Sequence, residues 1–284
     1  MKKILPLFVV LSIIFSSCSR KKEALDFVDP FIGTGGHGHT FPGATLPFGM
    51  VQLSPDTRKD SWDGCSGYHY SDSTIMGFSH THLSGTGVGD YGDIRFMPTT
   101  GNLQLEPGTE KDPESGYRSR FSHENESASP GYYSVNLLDY DIDVELSASK
   151  RTGFHRYNFP DADTVNVIMD IFEGVTTDKI DFLEIQFVGD RVVTGIRKTD
   201  GWADDQRVFF YAEFSEPFDD FGVKSGNAIR RTKQKVYGDR IKAFVRYFES
   251  APDELLVKVG ISFVDVSGAK RIWRRRSPAG ILTK

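Results

Sequence analysis

Residues 132–148 read YYSVNLLDYDIDVELSA, and the alternation within them decides the fold. In Tyr132–Leu138 and Ile142–Ala148, apolar or aromatic residues alternate with polar ones, as happens when one face of a strand is buried and the other is wet. The same pattern recurs over Gly153–Phe159, Thr164–Ile171, Phe182–Val188, Arg191–Arg197, Arg207–Phe214, Arg240–Phe248 and Leu255–Phe263. Turn-forming clusters at Pro160–Asp163, Gly189–Asp190, Thr199–Gly201 and Ser250–Asp253 separate the runs. No stretch of comparable length carries a helical period. Short, evenly spaced strands without intervening helices predict an all-β chain folded as an antiparallel β-sandwich. The 22 phenylalanines suit a thick core between two sheets.

Upstream the character changes. Residues 33–57 read GTGGHGHTFPGATLPFGMVQLSPDT, 61–72 read SWDGCSGYHYSD, and 77–94 read GFSHTHLSGTGVGDYGDI. Five of the seven histidines fall here, among many glycines, in a texture unlike that of core strands. It reads as loops that form a binding surface, with Pro42, Pro47 and Pro55 stiffening the first of them. Gly33–Gly36 and Ser84–Asp90 look like phosphate loops only superficially. The first lacks the lysine of that motif, and neither opens a helix after a strand, so both are expected to be tight turns.

Trp62, between Ser61 and Asp63-Gly64, is the foremost candidate for ligand contact: an indole face packs on the C–H face of a sugar, and its N–H can donate to a hydroxyl. The pairs His37/His39 and His80/His82 share a two-residue spacing that points both rings one way on extended backbone. Polar contacts to substrate or to a neighbouring domain, and simple loop packing, are both open for them. Zinc is the weaker reading. Asp63, Asp90 and Asp93 are expected to accept backbone N–H groups within loops, with Asp63 also a substrate-contact candidate beside Trp62. Cys65 reads as a small buried residue rather than a nucleophile, since no base is paired with it in the sequence.

These three strings closely resemble the N-terminal domain of glycoside hydrolase family 92, the calcium-dependent exo-acting α-mannosidases, over about Leu25–Arg271. The resemblance implies an inverting hydrolase acting on mannose-containing glycans, with α-1,2 linkages the expected target. It also implies a galactose-mutarotase-like supersandwich joined to a C-terminal (α/α) barrel. In the family the catalytic acid, the base and the calcium ligands lie on the barrel, so no catalytic residue is assigned to this chain. Inversion needs two carboxyl groups roughly 6.5–9.5 Å apart, one as acid and one as base. The matching tryptophan lies on the sandwich face that meets the barrel, which implies that Trp62 helps to form the sugar pocket; Asp63, His80, His82 and His37 are the further candidates for that wall. A free-standing carbohydrate-binding lipoprotein is the alternative from another class.

Lys2-Lys3 followed by the apolar run Ile4–Phe15 reads as a signal peptide, too short for a membrane span. Phe15-Ser16-Ser17-Cys18 resembles a lipobox, which makes Cys18 the expected lipidation site and 19–24 a tether. The expected location is the bacterial cell envelope, lipid-anchored, with the leaflet left open by the basic Ser19–Lys22. With Cys18 acylated, Cys65 has no disulfide partner. The net charge of −5 includes three Arg and one Lys in 272–284, so the preceding residues are more acidic still, which argues against nucleic acid. That tail, IWRRRSPAGILTK, shows no strand or helix pattern and departs from the family resemblance. Suitable synonymous codons read one base out of frame give NLEAEIPGWDFDK, a helix start and linker of the kind the family carries. A single-base frameshift after Arg271 is therefore expected, with a natural basic tail as the alternative. Sequencing the gene across the Arg271 codon should reveal the base that restores this string and a long frame beyond it; a confirmed stop after Lys284 would refute the frameshift.

Overall fold

The computed structural model describes residues 23–176 and 179–274. Two antiparallel sheets dominate it. In the first, eight strands lie in the order Ala44–Thr45, Gln52–Asp56, Gly77–Ser79, Arg95–Thr100, Val165–Asp170, Ile241–Tyr247, Asp220–Ser225 and Ala228–Arg230. In the second, nine lie in the order Val236–Gly238, Lys179–Val188, Val192–Asp200, Gln206–Phe214, Glu254–Ser262, Thr152–Asn158, Ile142–Ala148, Tyr132–Leu137 and Glu126–Ser129. Thr74–Ile75 and Ser119–Arg120 form a separate two-stranded ribbon.

The strands anticipated from alternation are present, most within a residue or two of their expected ends. Tyr133, Val135 and Leu137 point inward from one strand and Ile142, Val144 and Leu146 from its neighbour, paired in register from Tyr132↔Ser147 to Leu137↔Ile142. Their inward faces meet Phe78, Phe96, Ile168, Phe210, Phe214 and Val257 in one continuous apolar core, so the chain is an antiparallel β-sandwich. Val165–Asp170 is buried along its whole length, because it is central in its sheet and covered on both faces.

Two readings of the glycine-rich stretch need correction. It is not all loop: Gln52–Asp56 and Gly77–Ser79 are strands of the first sheet, and Pro55 lies inside one of them, opposite Phe78, rather than stiffening a loop. The stretch also holds a buried ion pair. Arg95 donates from Nε to Asp56 Oδ2 at 2.7 Å, although the strand Gly77–Ser79 lies between their strands. The guanidinium reaches across at Gly77, which faces Asp56 in register. A Cβ there would fall 2.7 Å from Arg95 Cγ, and the φ of +141° suits glycine.

A helix, Val266–Arg274, packs on the outer face of the second sheet through Ala269 and Trp273, whose ring centroid lies 5.4 Å from that of Tyr211. It runs through Ile272-Trp273-Arg274, where the sequence showed no helical pattern. One apolar contact face suffices for a two-turn helix held by the sheet. Residues 275–284, Cys18 and the signal segment lie outside the described residues.

Phe96 is fully buried between the sheets and touches His80, His155 and Phe214. Phe96→Ala should cost about 3–5 kcal/mol of unfolding free energy in urea denaturation; a loss under about 1 kcal/mol would contradict this account of the core.

Candidate functional site

Trp62 lies on the loop between the strands Gln52–Asp56 and Thr74–Ile75, with 59% of its area exposed. Its turn is closed by Cys65 N–H donating to the Trp62 carbonyl (3.3 Å) and Gly64 N–H donating to Ser61 Oγ (3.2 Å). Two imidazoles brace the indole. His39 meets it edge-on, with ring centroids 4.4 Å apart at 77°, and His37 lies at 5.1 Å and 49°. His37 Nδ1 also bonds Asp63 Oδ1, and that hydrogen bond, with the charge of His37, holds the exposed Asp63 carboxyl below the usual carboxylate range. The Gly87 turn lies against both His39 and the indole nitrogen. Beneath, Cys65 is buried, and burial pushes its thiol up, away from nucleophilic form.

The neighbouring loops are tied down. Arg58 grips Asp72 with Nε and Nη2, and Thr57 Oγ1 adds a bond to Asp72 Oδ2 at 2.6 Å. His69 spans from Ser71 Oγ (2.8 Å) to the Gly36 carbonyl (3.1 Å), and Ser66 Oγ donates to the Thr40 carbonyl (2.9 Å). The platform is thus rigidly mounted rather than a lone surface aromatic.

Sequence reasoning therefore placed His37, Trp62 and Asp63 together with reason, but not His80 and His82. Both are buried. His80 Nδ1 donates to the Ile94 carbonyl at 2.7 Å and its Nε2 lies 3.1 Å from His155 Nε2. His82 is locked between Asp56 Oδ1 (2.8 Å), the Gln52 carbonyl (2.8 Å) and Ser79 Oγ (3.0 Å). Their side chains face the core because the backbone before them is a buried strand, not an exposed loop, although His82 also borders the cleft beside Phe48. The four histidines of the two pairs share no common ligand: His37 bonds Asp63, His39 packs on Trp62, and His80 and His82 have separate buried partners. Among the described residues no three His, Cys, Asp or Glu side chains converge as they would on a metal ion.

Asp90 matches its expected role, accepting from the backbone N–H groups of Tyr91 (2.7 Å) and Ala203 (2.9 Å). Asp93 does not: its partners are side chains, Arg197 Nη1 and Thr81 Oγ1 at 2.5 Å each and Gln206 Nε2 at 2.6 Å. This fully buried pair joins the loop to the second sheet. Asp56 is its counterpart in the first sheet. Burial alone would raise its carboxyl, but Arg95 and His82 outweigh that and hold it below the usual range.

Sequence reading missed Trp202, which is 62% exposed on the hairpin turn 200–206. Asp90 bonds the next residue, Ala203, so the Trp202 and Trp62 loops both pack against the Gly87–Asp90 turn. A tryptophan inside a turn cluster was the available signal. A cleft of about 730 Å³ opens nearby, lined by Phe41, Leu46, Pro47, Phe48, Leu83 and Tyr91 among others, with Phe48 wholly exposed.

The comparisons agree with this architecture. The model of the glycosyl hydrolase family 92 N-terminal domain matches residues 27–262. An α-mannosidase of that family from Bacteroides thetaiotaomicron, solved free and with mannoimidazole, superposes with a TM-score of 0.84 at 38% identity, covering 88% of this chain and 34% of its own. An inverting mannosidase of the family from the same organism gives 0.74 at 27% identity, covering 91% and 34%. An uncharacterized secreted glycosidase of Arthroderma benhamiae is 31% identical over 166 residues, 55% of this chain and 20% of that protein. The chain belongs to glycosyl hydrolase family 92 and carries its N-terminal domain. It spans about a third of the length of the solved relatives.

Removing one member of the Asp93–Arg197 pair strands a buried charge. Asp93→Ala should cost about 3–5 kcal/mol in urea unfolding. A cost below about 1 kcal/mol would mean that the pair is dispensable to the fold.

Proposed function

We propose that this domain is the sandwich half of an exo-acting, inverting α-mannosidase and forms one wall of its sugar pocket. The observation that carries the reading is the braced, exposed Trp62: an aromatic face held by His37 and His39 offers a sugar a preorganised stacking surface. His39 Nε2 is buried beside it without a hydrogen-bond partner among the described residues, and a sugar hydroxyl is its natural complement. The acid, the base and a calcium ion would be supplied by a helical domain. The apolar cleft beside Phe48 supports the presence of such a neighbour, because exposed apolar patches of this kind mark interfaces. An α-1,2 linkage is the preference we assign, and lipid attachment at Cys18 the anchoring.

A longer product of the gene that includes the helical domain should release mannose from α-1,2-linked mannobiose in a calcium-dependent manner. Trp62→Ala should lower its kcat/KM by roughly thirtyfold, about 2 kcal/mol of transition-state stabilisation, while leaving the unfolding midpoint almost unmoved. Unchanged kcat/KM would remove Trp62 from the pocket. Tight sugar binding by residues 1–284 alone would favour a carbohydrate-binding lipoprotein instead.

A further inference from the structure

Three buried side chains form a chain of hydrogen bonds across the middle of the sandwich. Tyr157 Oη lies 2.9 Å from His155 Nδ1, His155 Nε2 lies 3.1 Å from His80 Nε2, and His80 Nδ1 lies 2.7 Å from the Ile94 carbonyl oxygen. His155 and Tyr157 belong to Thr152–Asn158 in the second sheet. His80 follows Gly77–Ser79, and Ile94 precedes Arg95–Thr100, both in the first. All three side chains have essentially no exposed area.

Chemistry allows one direction for this chain. A carbonyl oxygen only accepts, so His80 Nδ1 carries a proton. In neutral His80 the Nε2 is then bare and must accept, which requires the proton on His155 Nε2. His155 Nδ1 is then bare in turn and accepts from the Tyr157 hydroxyl. The two rings are therefore opposite tautomers, His80 protonated at Nδ1 and His155 at Nε2. Making His80 the cation would need a counter-charge. The charged groups that face the pair are His82 and Asp56, and Asp56 is already shared between Arg95 and His82. Phe96, packed on both rings, and Phe214 behind it offer no charge, and Gly153 leaves no room to re-aim the ring, since a Cβ there would sit 2.8 Å from His80 Cδ2.

We propose that this one-directional chain is an acid-opened clasp between the two sheets, closed only while His80 is neutral. An added proton on His80 Nε2 breaks a link, because it sets two donors face to face with His155 Nε2–H, whereas a proton on His155 Nδ1 only turns the Tyr157 hydroxyl round to accept. Because His80 opens the segment that continues through the Ser84–Asp90 turn, release of the clasp loosens the support on which Trp62 rests. Burial lowers both imidazoles, His80 to about 4 and His155 well below its ordinary value. Both groups are thus depressed relative to the unfolded chain, so stability is full above the ordinary imidazole value of 6.5 and is lost as pH falls from there towards 4.

The test is imidazole ¹⁵N–¹H correlation spectroscopy on the labelled chain, with assignment by a His155→Gln variant. The expected spectrum has one histidine protonated only at Nδ1 and one only at Nε2, both unchanged between pH 8 and 5. Matching tautomers, or titration of either near 6.5, would overturn the proposal. In urea unfolding, the loss of stability between pH 6.5 and 5 should be shallower in His155→Gln by one proton, about tenfold in the unfolding constant per pH unit. Equal slopes would also count against the clasp. The wild-type spectrum decides the matter if the variant does not fold.

Discussion

The structure depends on Arg95 reaching Asp56 across an intervening strand. A buried carboxylate and a buried guanidinium are tolerable only as a pair with their remaining hydrogen-bonding capacity largely spent. Here the same carboxylate also takes His82, and Arg95 Nη2 donates to the Gly174 carbonyl at 3.2 Å. One ion pair therefore fixes two strands, the loop after the third and the approach to Lys179–Val188. Its absolute requirement for space explains the glycine at position 77, at the head of the strand Gly77–Ser79, where glycine is otherwise costly.

From this anchor the surface loops inherit their rigidity. His82 is held by Asp56, and the segment running on from it ends at Asp93, which is clamped by Arg197 of the other sheet. Between these two fixed points the backbone makes the turn on which His39 and Trp62 rest. Preorganisation of the candidate site thus draws on core electrostatics as well as on the bonds within its loops.

The sandwich was legible because its later strands are half-buried, and half-burial writes a period of two into sequences such as Ile142–Ala148. The strands Gln52–Asp56, Gly77–Ser79 and Arg95–Thr100 were not legible. They carry Asp, Ser, Pro, Gly and Arg at buried positions, where polar pairing replaces the apolar signal that alternation depends on. The same substitution hid the roles of His80 and His82: their buried partners, His155 and Asp56, lie 75 and 26 residues away in sequence. Trp62 could be read because a tryptophan in a glycine-rich turn has no core strand to serve.

The strand order has a consequence for biosynthesis. Glu254–Ser262 is the last strand among the described residues but sits in the interior of the second sheet, between Gln206–Phe214 and Thr152–Asn158. Until it arrives, the meander Glu126–Asn158 and the ribbon Lys179–Phe214 are separate pieces, each with an open, hydrogen-bonding edge. The meander pairs in chain order and closes only short loops, whereas the sheet as a whole must wait for contacts about a hundred residues apart (Thr152↔Gly260). A nascent chain of this sequence therefore stays open-sided, and in need of protection from its neighbours, until nearly all of the domain has been made.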